Sequence, residues 1–495
     1  MNTTAQASTS ASITISPAMQ RRTKIVATLG PASNERRVLE RMIAAGVDVV
    51  RMNFSHGKAE EHIARAELVR SIARENGRTV GVLVDLQGPK IRVGRFAEGK
   101  ITLAEGDKFT LDANCVVGNQ GRVGLDYKEL PNDVGPGDVL LLDDGRIELV
   151  VDRVQGTEVF TTVRQGGVLS NNKGINRKGG GLTAPALTDK DIEDLKISVE
   201  LHADFLAVSF PRSGVDMALA GALMRNAGGK SLLIAKIERA EAVPALEEIL
   251  EASDGIMVAR GDLAVEVGDA VVPALQKRMI RLARAKNKLV ITATQMMESM
   301  ISSPVPTRAE VSDVANAVLD GTDAVMLSAE TAAGSYPVEA VAAMARVCVE
   351  AEKEDTAEQD RTPKAASEKA VEESIAQAVI YTSRRLPIRA VAALTQSGMT
   401  PLLMSRMSTS VPIYAMTPLD ETQRKVTLYR GVYPVPFAER MEDPDAVLND
   451  AENELLQRGA VRQGDYIILT IGEPLGKAGG TNTMKIVKVG EHWKG

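Results

Sequence analysis

The chain carries eight short apolar runs that each stop abruptly at a polar or charged group. They are KIVATLG (24–30), VDVVRMNFS (47–55), VGVLVDLQ (80–87), DFLAVSF (204–210), SLLIAKIE (231–238), DGIMVARGD (254–262), KLVITATQ (288–295) and DAVMLSAE (323–330). Continuous apolar runs of this length mark strands buried on both faces. Between most of them lie segments with apolar residues at three- and four-residue spacing that close on Gly or Asn, such as ERRVLERMIAAG and PALQKRMIRLARAKN, and these predict helices. Eight strand–helix units in series predict an α/β fold built on a TIM (β/α)8 barrel.

One connection is too long. More than a hundred residues separate the third run from the fourth, where about thirty suffice for a strand–helix–strand crossover. There the texture changes to short Val/Ile/Leu/Phe segments broken by Gly, Pro, Asn and Asp (DKFTLDAN, NDVGPGDVLLLDDGRIELVV, VFTTVRQGG), which predicts an inserted small β-barrel domain placed as a lid. After residue 350 the charged stretch EKEDTAEQDRTPKAASEK reads as a linker or a solvated helix end. A helix around 366–385 and the segments IRAVAALTQ, PLLMSRM, VPIYAMTP, ETQRKVTLYRG, YIILTIGEP and MKIVKVG follow, and they predict a C-terminal open α/β domain. The expected division is a flexible tail at 1–19, a catalytic barrel at 20–86 and 184–352, the insert at 87–183 and the last domain at 353–495.

Composition narrows the chemistry. A length of 495 residues fits about three domains, and 44% hydrophobic with 25% charged residues excludes disorder, collagen and coiled coil as whole-chain classes. A net charge of −6 gives no general attraction to nucleic acid or anionic lipid, so small molecules or proteins are the expected partners. Cys115 and Cys348 are too few for a disulfide framework or a thiolate metal site, which fits a reducing cytoplasm. His56, His62, His202 and His492 show no zinc-binding spacing, so a metal here should be bound by oxygen. The opening MNTTAQASTSASITISPA lacks the basic start and apolar stretch of a secretory signal, and no run approaches the roughly 18 apolar residues of a membrane span.

Barrel active sites lie at the carboxyl ends of the strands. Those ends supply Arg51 and Asn53, Asp85, Lys236 and Glu238, Arg260 and Asp262, Thr294, then Ser328 and Glu330. Two carboxylates without imidazole or thiolate suit Mg²⁺, which completes its octahedron with water and substrate oxygens. Lys236 offers positive charge to a transferring phosphoryl group or a developing enolate, although a structural Lys236–Glu238 ion pair fits the same spacing. Arg260-Gly261-Asp262 opens a segment able to present free N–H groups to a carboxylate or phosphate, or a plain turn. A Mg²⁺-dependent lyase or aldolase acting on enolates also fits these residues. No GxxxxGK[ST] occurs, so any phosphate site is not a P-loop.

The same residues sit in long motifs: TKIVATLGPAS (23–33), VVRMNFSHG (49–57), GPKIR (88–92), IAKIERAE (234–241), MVARGDLAVEVG (257–268), TATQMMESM (292–300) and DGTDAVMLSAETAAGSYPVEAV (320–341). With these the chain resembles pyruvate kinases over essentially its whole length after residue 20. The resemblance implies Mg²⁺-dependent phosphoryl transfer from phosphoenolpyruvate to ADP, giving pyruvate and ATP at the last step of glycolysis, with Mn²⁺ as a substitute metal and a homotetrameric assembly. By the family pattern Glu238 and Asp262 hold Mg²⁺, Lys236 stabilises the phosphoryl group and the enolate, and Arg51 contacts the phosphate. The Gly261 and Asp262 amides and Thr294 receive the substrate carboxylate. Asn53, His56, Arg92 and Lys173 face the nucleotide, and Thr294 or a relay through Ser328 and Glu330 protonates the enolate. A catalytically dead relative is disfavoured because Arg51, Lys236, Glu238, Asp262 and Thr294 are all present.

Departures from the family pattern carry further expectations. Many members read Asp-Thr-Lys-Gly-Pro-Glu where this chain reads Asp85-Leu86-Gln87-Gly88-Pro89-Lys90. Members of that kind hold K⁺ with groups matching Asn53, Ser55 and Asp85 plus the threonine. Leu86 removes that hydroxyl and Lys90 replaces a carboxylate with an ammonium, so K⁺ is expected not to be required. Ala264 stands where the family commonly has glycine, which touches only local backbone freedom. In the last domain Thr395-Gln396-Ser397-Gly398-Met399-Thr400 resembles a loop that grips an effector phosphate, with Thr395, Ser397, Gly398 and Thr400 as its contacts. GKAGGTNT (476–483) resembles the opposing loop without the family's tryptophan. Together these favour a bacterial type whose regulatory domain answers to a sugar monophosphate or AMP.

Overall fold

The eight apolar runs form eight parallel strands: β1 (Lys24–Leu29), β2 (Val49–Asn53), β3 (Gly81–Asp85), β4 (Phe205–Val208), β5 (Leu232–Ile237), β6 (Gly255–Ala259), β7 (Leu289–Ala293) and β8 (Ala324–Leu327). They pair in that order, and β8 closes on β1 through the Lys24–Ala324 to Ala27–Leu327 register. This computed structural model describes residues 21–354, 370–438, 444–474 and 480–491. The expected tail at 1–19, most of the 352–369 linker and part of the 476–483 loop lie outside the described residues.

Strand side chains alternate with period two. Ile25, Ala27 and Leu29 of β1 and Val50 and Met52 of β2 pack outward in one cluster with the surrounding helices. Val26, Val49, Leu83, Phe205, Ile234, Met257, Ile291 and Met326 belong to a second cluster, the barrel's own interior. Continuing the inward parity by two residues along the strands reaches Arg51 and Asn53, Asp85, Ser209, Lys236 and Glu238, and Ser328. These polar groups are thus the inward-facing set carried on to the mouth of the barrel, while Arg260, Asp262 and Thr294 fall on the opposite parity.

The amino-terminal end of the barrel is closed by a repeated device. Asp48, Asp204, Asp254 and Asp323 precede the even-numbered strands. Each accepts, through Oδ2, the N–H of the second residue of the preceding odd strand: Ile25 (2.9 Å), Val82 (2.9 Å), Leu233 (2.8 Å) and Val290 (2.9 Å). Arginines complete three of the four: Arg21 Nη2 reaches Asp48 (2.8 Å), Arg424 Nε reaches Asp204 (2.8 Å) and Arg406 forms a fully buried pair with Asp323.

Arg406 and Arg424 come from the C-terminal domain, whose sheet runs β11-β10-β9-β12-β13, with β9 (Ile388–Leu394), β10 (Ile413–Thr417), β11 (Val432–Pro436), β12 (Tyr466–Gly472) and β13 (Thr481–Lys488). Only the β12–β13 pair is antiparallel. The barrel-interior cluster continues through Leu428 and Tyr429 to Val391 and Ala393 on one face of this sheet, so the barrel floor and the last domain share one apolar body. Gly81 at the start of β3 has room for no side chain, since a Cβ would lie 2.7 Å from Thr427 Oγ1 of that domain. A helix spans Ala370–Arg385, where the sequence predicts one, while strand β11 and the helix Pro444–Gln457 were not singled out from the sequence.

The insertion after β3 is all β apart from one short helix, Leu130–Asp133. A six-stranded sheet and two two-stranded ladders surround a core of Phe96, Ile101, Phe109, Leu111, Leu140, Leu149, Val159 and Leu169. Bulges at Glu148/Leu149 and Val151/Arg153 bend its longest hairpin. No described helix is long and apolar enough to cross a membrane.

Candidate active site

Side chains from three other strand ends, those of β2, β4 and β5, converge on Asp85. Its Oδ2 accepts Arg51 Nε (2.7 Å) and Nη2 (2.6 Å) and lies 3.7 Å from Lys236 Nζ, while its Oδ1 accepts the Ser209 hydroxyl (3.2 Å). Arg51 Nη1 also donates to Thr28 Oγ1 (3.1 Å) on β1, which ties the guanidinium across the mouth. Burial alone would raise the Asp85 carboxyl, but Lys236 and Arg51 outweigh it and hold the group below the usual range.

Lys236 Nζ lies 2.7 Å from Glu238 Oε1. Two carboxylates facing the ammonium keep its pKa above the ordinary lysine value in spite of its burial. Glu238 is different. It is 1% exposed, its Oε2 accepts the Phe210 N–H (3.1 Å), and its Oε1 accepts no aligned hydrogen bond. Burial pushes Glu238 up to about 8 against the pull of Lys236, and the charge of Asp262 adds to the rise. A carboxylate this costly to ionise even with Lys236 facing it, and with a second acid beside it, has the donor set of a hard divalent cation. Among the described residues no group of three or more metal-binding side chains occurs, so a cation here would draw further ligands from water and substrate.

Beside this cluster β6 ends in the helix Arg260–Val267, whose N-cap, Ala259, provides no side-chain cap. The Gly261 N–H instead donates to Thr294 Oγ1 (2.8 Å), whose hydroxyl donates to Ala293 O (2.6 Å). Thr294 has φ +66° and Gln295 φ +54°, a left-handed pair that costs a β-branched residue about 1–3 kcal/mol. Glu330 is buried, and both its oxygens accept backbone amides, from Ser328 (2.6 Å) and Met297 (3.2 Å), which clasps the ends of β7 and β8 together. Burial raises its pKa. The partly exposed Ser328 is the group of that pair nearer solvent.

The residues expected around a nucleotide are more dispersed. Asn53 Oδ1 accepts the Ser55 N–H (3.1 Å) and shapes the turn that carries exposed His56, whose carbonyl accepts a hydrogen bond from His62 Nε2 (2.9 Å). Arg92 and Lys173 lie on the insertion. The Arg92 N–H donates to Asp126 (2.7 Å), and Lys173 Nζ pairs with Asp143 (2.7 Å). A cleft between insertion and barrel is lined by Lys90, Gly174, Asn176, Arg239, Asp262 and Glu266. Glu266 joins its two walls, accepting Asn176 Nδ2 (3.2 Å) from the insertion and the Ala240 N–H (2.8 Å) from the barrel. Leu86 is buried among core side chains, and Lys90 is exposed at the cleft.

In the C-terminal domain Thr395 Oγ1 accepts the Gly398 N–H (2.9 Å), Thr400 pairs with Thr481 (2.7 Å), and Gly398 takes φ +80°. Thr395 and Thr400 are buried, and Ser397 is the exposed hydroxyl of the loop. Sequence reasoning did not pick out Ser209, the Phe210 amide or Glu266. Ser209 had a signal, since it closes the fourth run with inward parity.

A closed barrel whose mouth gathers Arg51, Lys236, Asp85, Glu238 and Asp262 defines an enzyme of the (β/α)8 class built for a small anionic substrate. Residues 20–341 match the family model "Pyruvate kinase, barrel domain" and 373–487 match "Pyruvate kinase, alpha/beta domain". The chain is 54% identical over 475 residues to pyruvate kinase II of Salmonella typhimurium, covering 95% of this chain and 99% of that one. It is 54% identical over 458 residues to a pyruvate kinase of Haemophilus influenzae (91% and 96% covered) and 43% identical over 475 residues to one of Mycobacterium tuberculosis (96% and 99%). The chain belongs to the pyruvate kinase family and is an enzyme of that family.

Proposed function

We propose that the barrel mouth transfers the phosphoryl group of phosphoenolpyruvate to ADP and that the resulting enolate is protonated to pyruvate. The observation that carries this reading is the buried Lys236 ammonium set between Asp85 and Glu238, with Glu238 raised to about 8. Arg51 and Lys236 neutralise charge on the phosphoryl group and the enolate, fixed in advance by Asp85 and Thr28 so that little reorganisation is needed. The Gly261 and Asp262 amides and Thr294 seat the substrate carboxylate, which replaces the Gly261–Thr294 hydrogen bond. Glu238 and Asp262 hold Mg²⁺, or Mn²⁺ in its place; when bound, the metal withdraws charge from phosphoryl and enolate oxygens. Thr294, or Ser328 backed by Glu330, delivers the proton. Asn53, His56, Arg92 and Lys173 meet the nucleotide as the insertion closes over the cleft.

Pyruvate formation followed with lactate dehydrogenase should require phosphoenolpyruvate, ADP and Mg²⁺ together and stop with chelator. Release of pyruvate without ADP would instead mark a lyase.

K⁺ is not required in this reading. Leu86 offers no hydroxyl, Asp85 already faces Arg51 and Lys236, and Lys90 supplies a fixed cation at the cleft in place of the monovalent ion held at Asn53, Ser55 and Asp85 in other members. Turnover in tetramethylammonium buffer should change by less than about twofold on adding K⁺, within the range of general salt effects; a tenfold rise contradicts the assignment. The 395–400 loop binds the phosphate of a sugar monophosphate or AMP through Ser397 and the loop amides, with Thr395, Gly398 and Thr400 shaping it. Glucose 6-phosphate or ribose 5-phosphate should lower the half-saturation for phosphoenolpyruvate in the wild type and not in Ser397→Asp. The assembly is a homotetramer, and light scattering should give four times the 52.9 kDa chain mass.

A further inference from the structure

Thr294 and Gln295 are held in consecutive left-handed conformations with no glycine to ease them, so something must over-determine that turn. Arg260 surrounds it. Its Nη2 donates to Thr294 O (2.7 Å), Gln295 O (3.3 Å) and Met296 Sδ (2.8 Å), and its Nε donates to Ala293 O (3.3 Å). Three successive carbonyls of the turn therefore converge on one guanidinium that is 8% exposed. On its other edge Nη1 is anchored by Asp313 Oδ1 (2.7 Å), from the helix Arg308–Asp320, and by Gln276 Oε1 (3.5 Å). The next residue, Gly261, donates its N–H to Thr294 Oγ1. The Arg260 side chain thus fixes the backbone of the turn while its neighbour's amide marks where the hydroxyl must stand.

We infer that Arg260 is a positioning residue for the reaction, and that it acts through Thr294. The planar guanidinium fork meets three carbonyls while Asp313 and Gln276 hold its other edge, which the three donors of a lysine ammonium cannot do together. If the fork is lost, the strained turn relaxes toward ordinary dihedrals and swings Oγ1 away from the substrate carboxylate. Asp313 keeps the fork aimed and never touches the mouth.

The inference rests on Thr294 contacting the substrate, and the experiment separates the two. Steady-state constants for phosphoenolpyruvate and for ADP are measured in Arg260→Lys, Asp313→Asn, Thr294→Ala and the Arg260→Lys/Thr294→Ala double variant. Arg260→Lys should lower kcat/KM for phosphoenolpyruvate by about a hundredfold, the cost of a misplacement near 1 Å, with KM for ADP within about twofold. In the Thr294→Ala background the same change should cost less than about threefold, because the group it positions is gone. Asp313→Asn should give the same split between the two substrates at about tenfold loss, and it serves if Arg260→Lys does not fold. An equal loss with and without Thr294, parallel loss of both substrates, or no split in Asp313→Asn overturns the role of Arg260. An unchanged kcat/KM in Thr294→Ala overturns the reading of Thr294 itself, and the inference with it.

Discussion

The two ends of the barrel use the same side chains for opposite ends. At the amino-terminal floor each of Asp48, Asp204, Asp254 and Asp323 accepts a backbone N–H at 2.8–2.9 Å, and three also meet an arginine. For Asp48, burial pushes the pKa up, but Arg21, Lys24 and Arg78 outweigh it and hold the group low. At the mouth Asp85 is equally well served, yet Glu238 keeps one oxygen without an aligned donor and Asp262 stands beside it. Paired acids lock strands together. A buried acid whose partners do not offset its burial, as the rise of Glu238 against the pull of Lys236 shows, is a standing cost that a bound cation or substrate removes. The floor joins barrel to C-terminal domain; the mouth waits for ligands.

Three measurements probe that contrast. Lys236→Met should have the largest effect, lowering kcat about a thousandfold as expected for a preorganised charge at the reacting centre, while the folded protein survives. Full turnover in that variant would mean the mouth's cation is structural. Asp323→Asn strikes the floor, where it strips a buried partner from Arg406. Calorimetry should show a loss of about 3–5 kcal/mol of stability, with kcat per folded enzyme within about twofold of wild type. Equal loss of activity would erase the division of labour between the ends.

The smallest effect is in pH. Burial raises Glu238 to about 8 against the pull of Lys236, and a metal needs the carboxylate, so a proton competes increasingly with Mg²⁺ as the pH falls below that value. Half-saturating Mg²⁺ should rise by up to about tenfold from pH 8 to pH 7 and flatten above 8. A flat wild-type response would show that Glu238 is not a ligand.

Much of this was legible in the sequence because a strand buried on both faces leaves a continuous apolar run, and the polar residue that ends it marks the mouth. Arg51, Asp85, Lys236 and Glu238 were found that way, and the structure brings them within ion-pair distance of one another's neighbours. The floor was less visible. Asp48, Asp204, Asp254 and Asp323 each open an even-numbered run, but a single aspartate before a strand reads as a turn until its partner N–H on the adjacent strand is known. Arg260 is the sharpest case: its position at a strand end suggested the mouth, and its side chain turns instead to the carbonyls of 293–295. Strand β11 was overlooked because Pro434 and Pro436 interrupt its pattern, which an edge strand tolerates.

The division of labour between mouth and floor turns on Glu238, a buried acid expected to serve catalysis and not the fold. It is tested most directly by Glu238→Gln, with kcat for phosphoenolpyruvate and ADP and the thermal midpoint measured on one preparation. The glutamine keeps the shape, leaves Lys236 facing Asp85 at 3.7 Å and removes a group that is costly to ionise. Activity should fall by at least about a hundredfold while the midpoint holds or rises. Retained turnover, or a midpoint that collapses together with activity, would contradict that role.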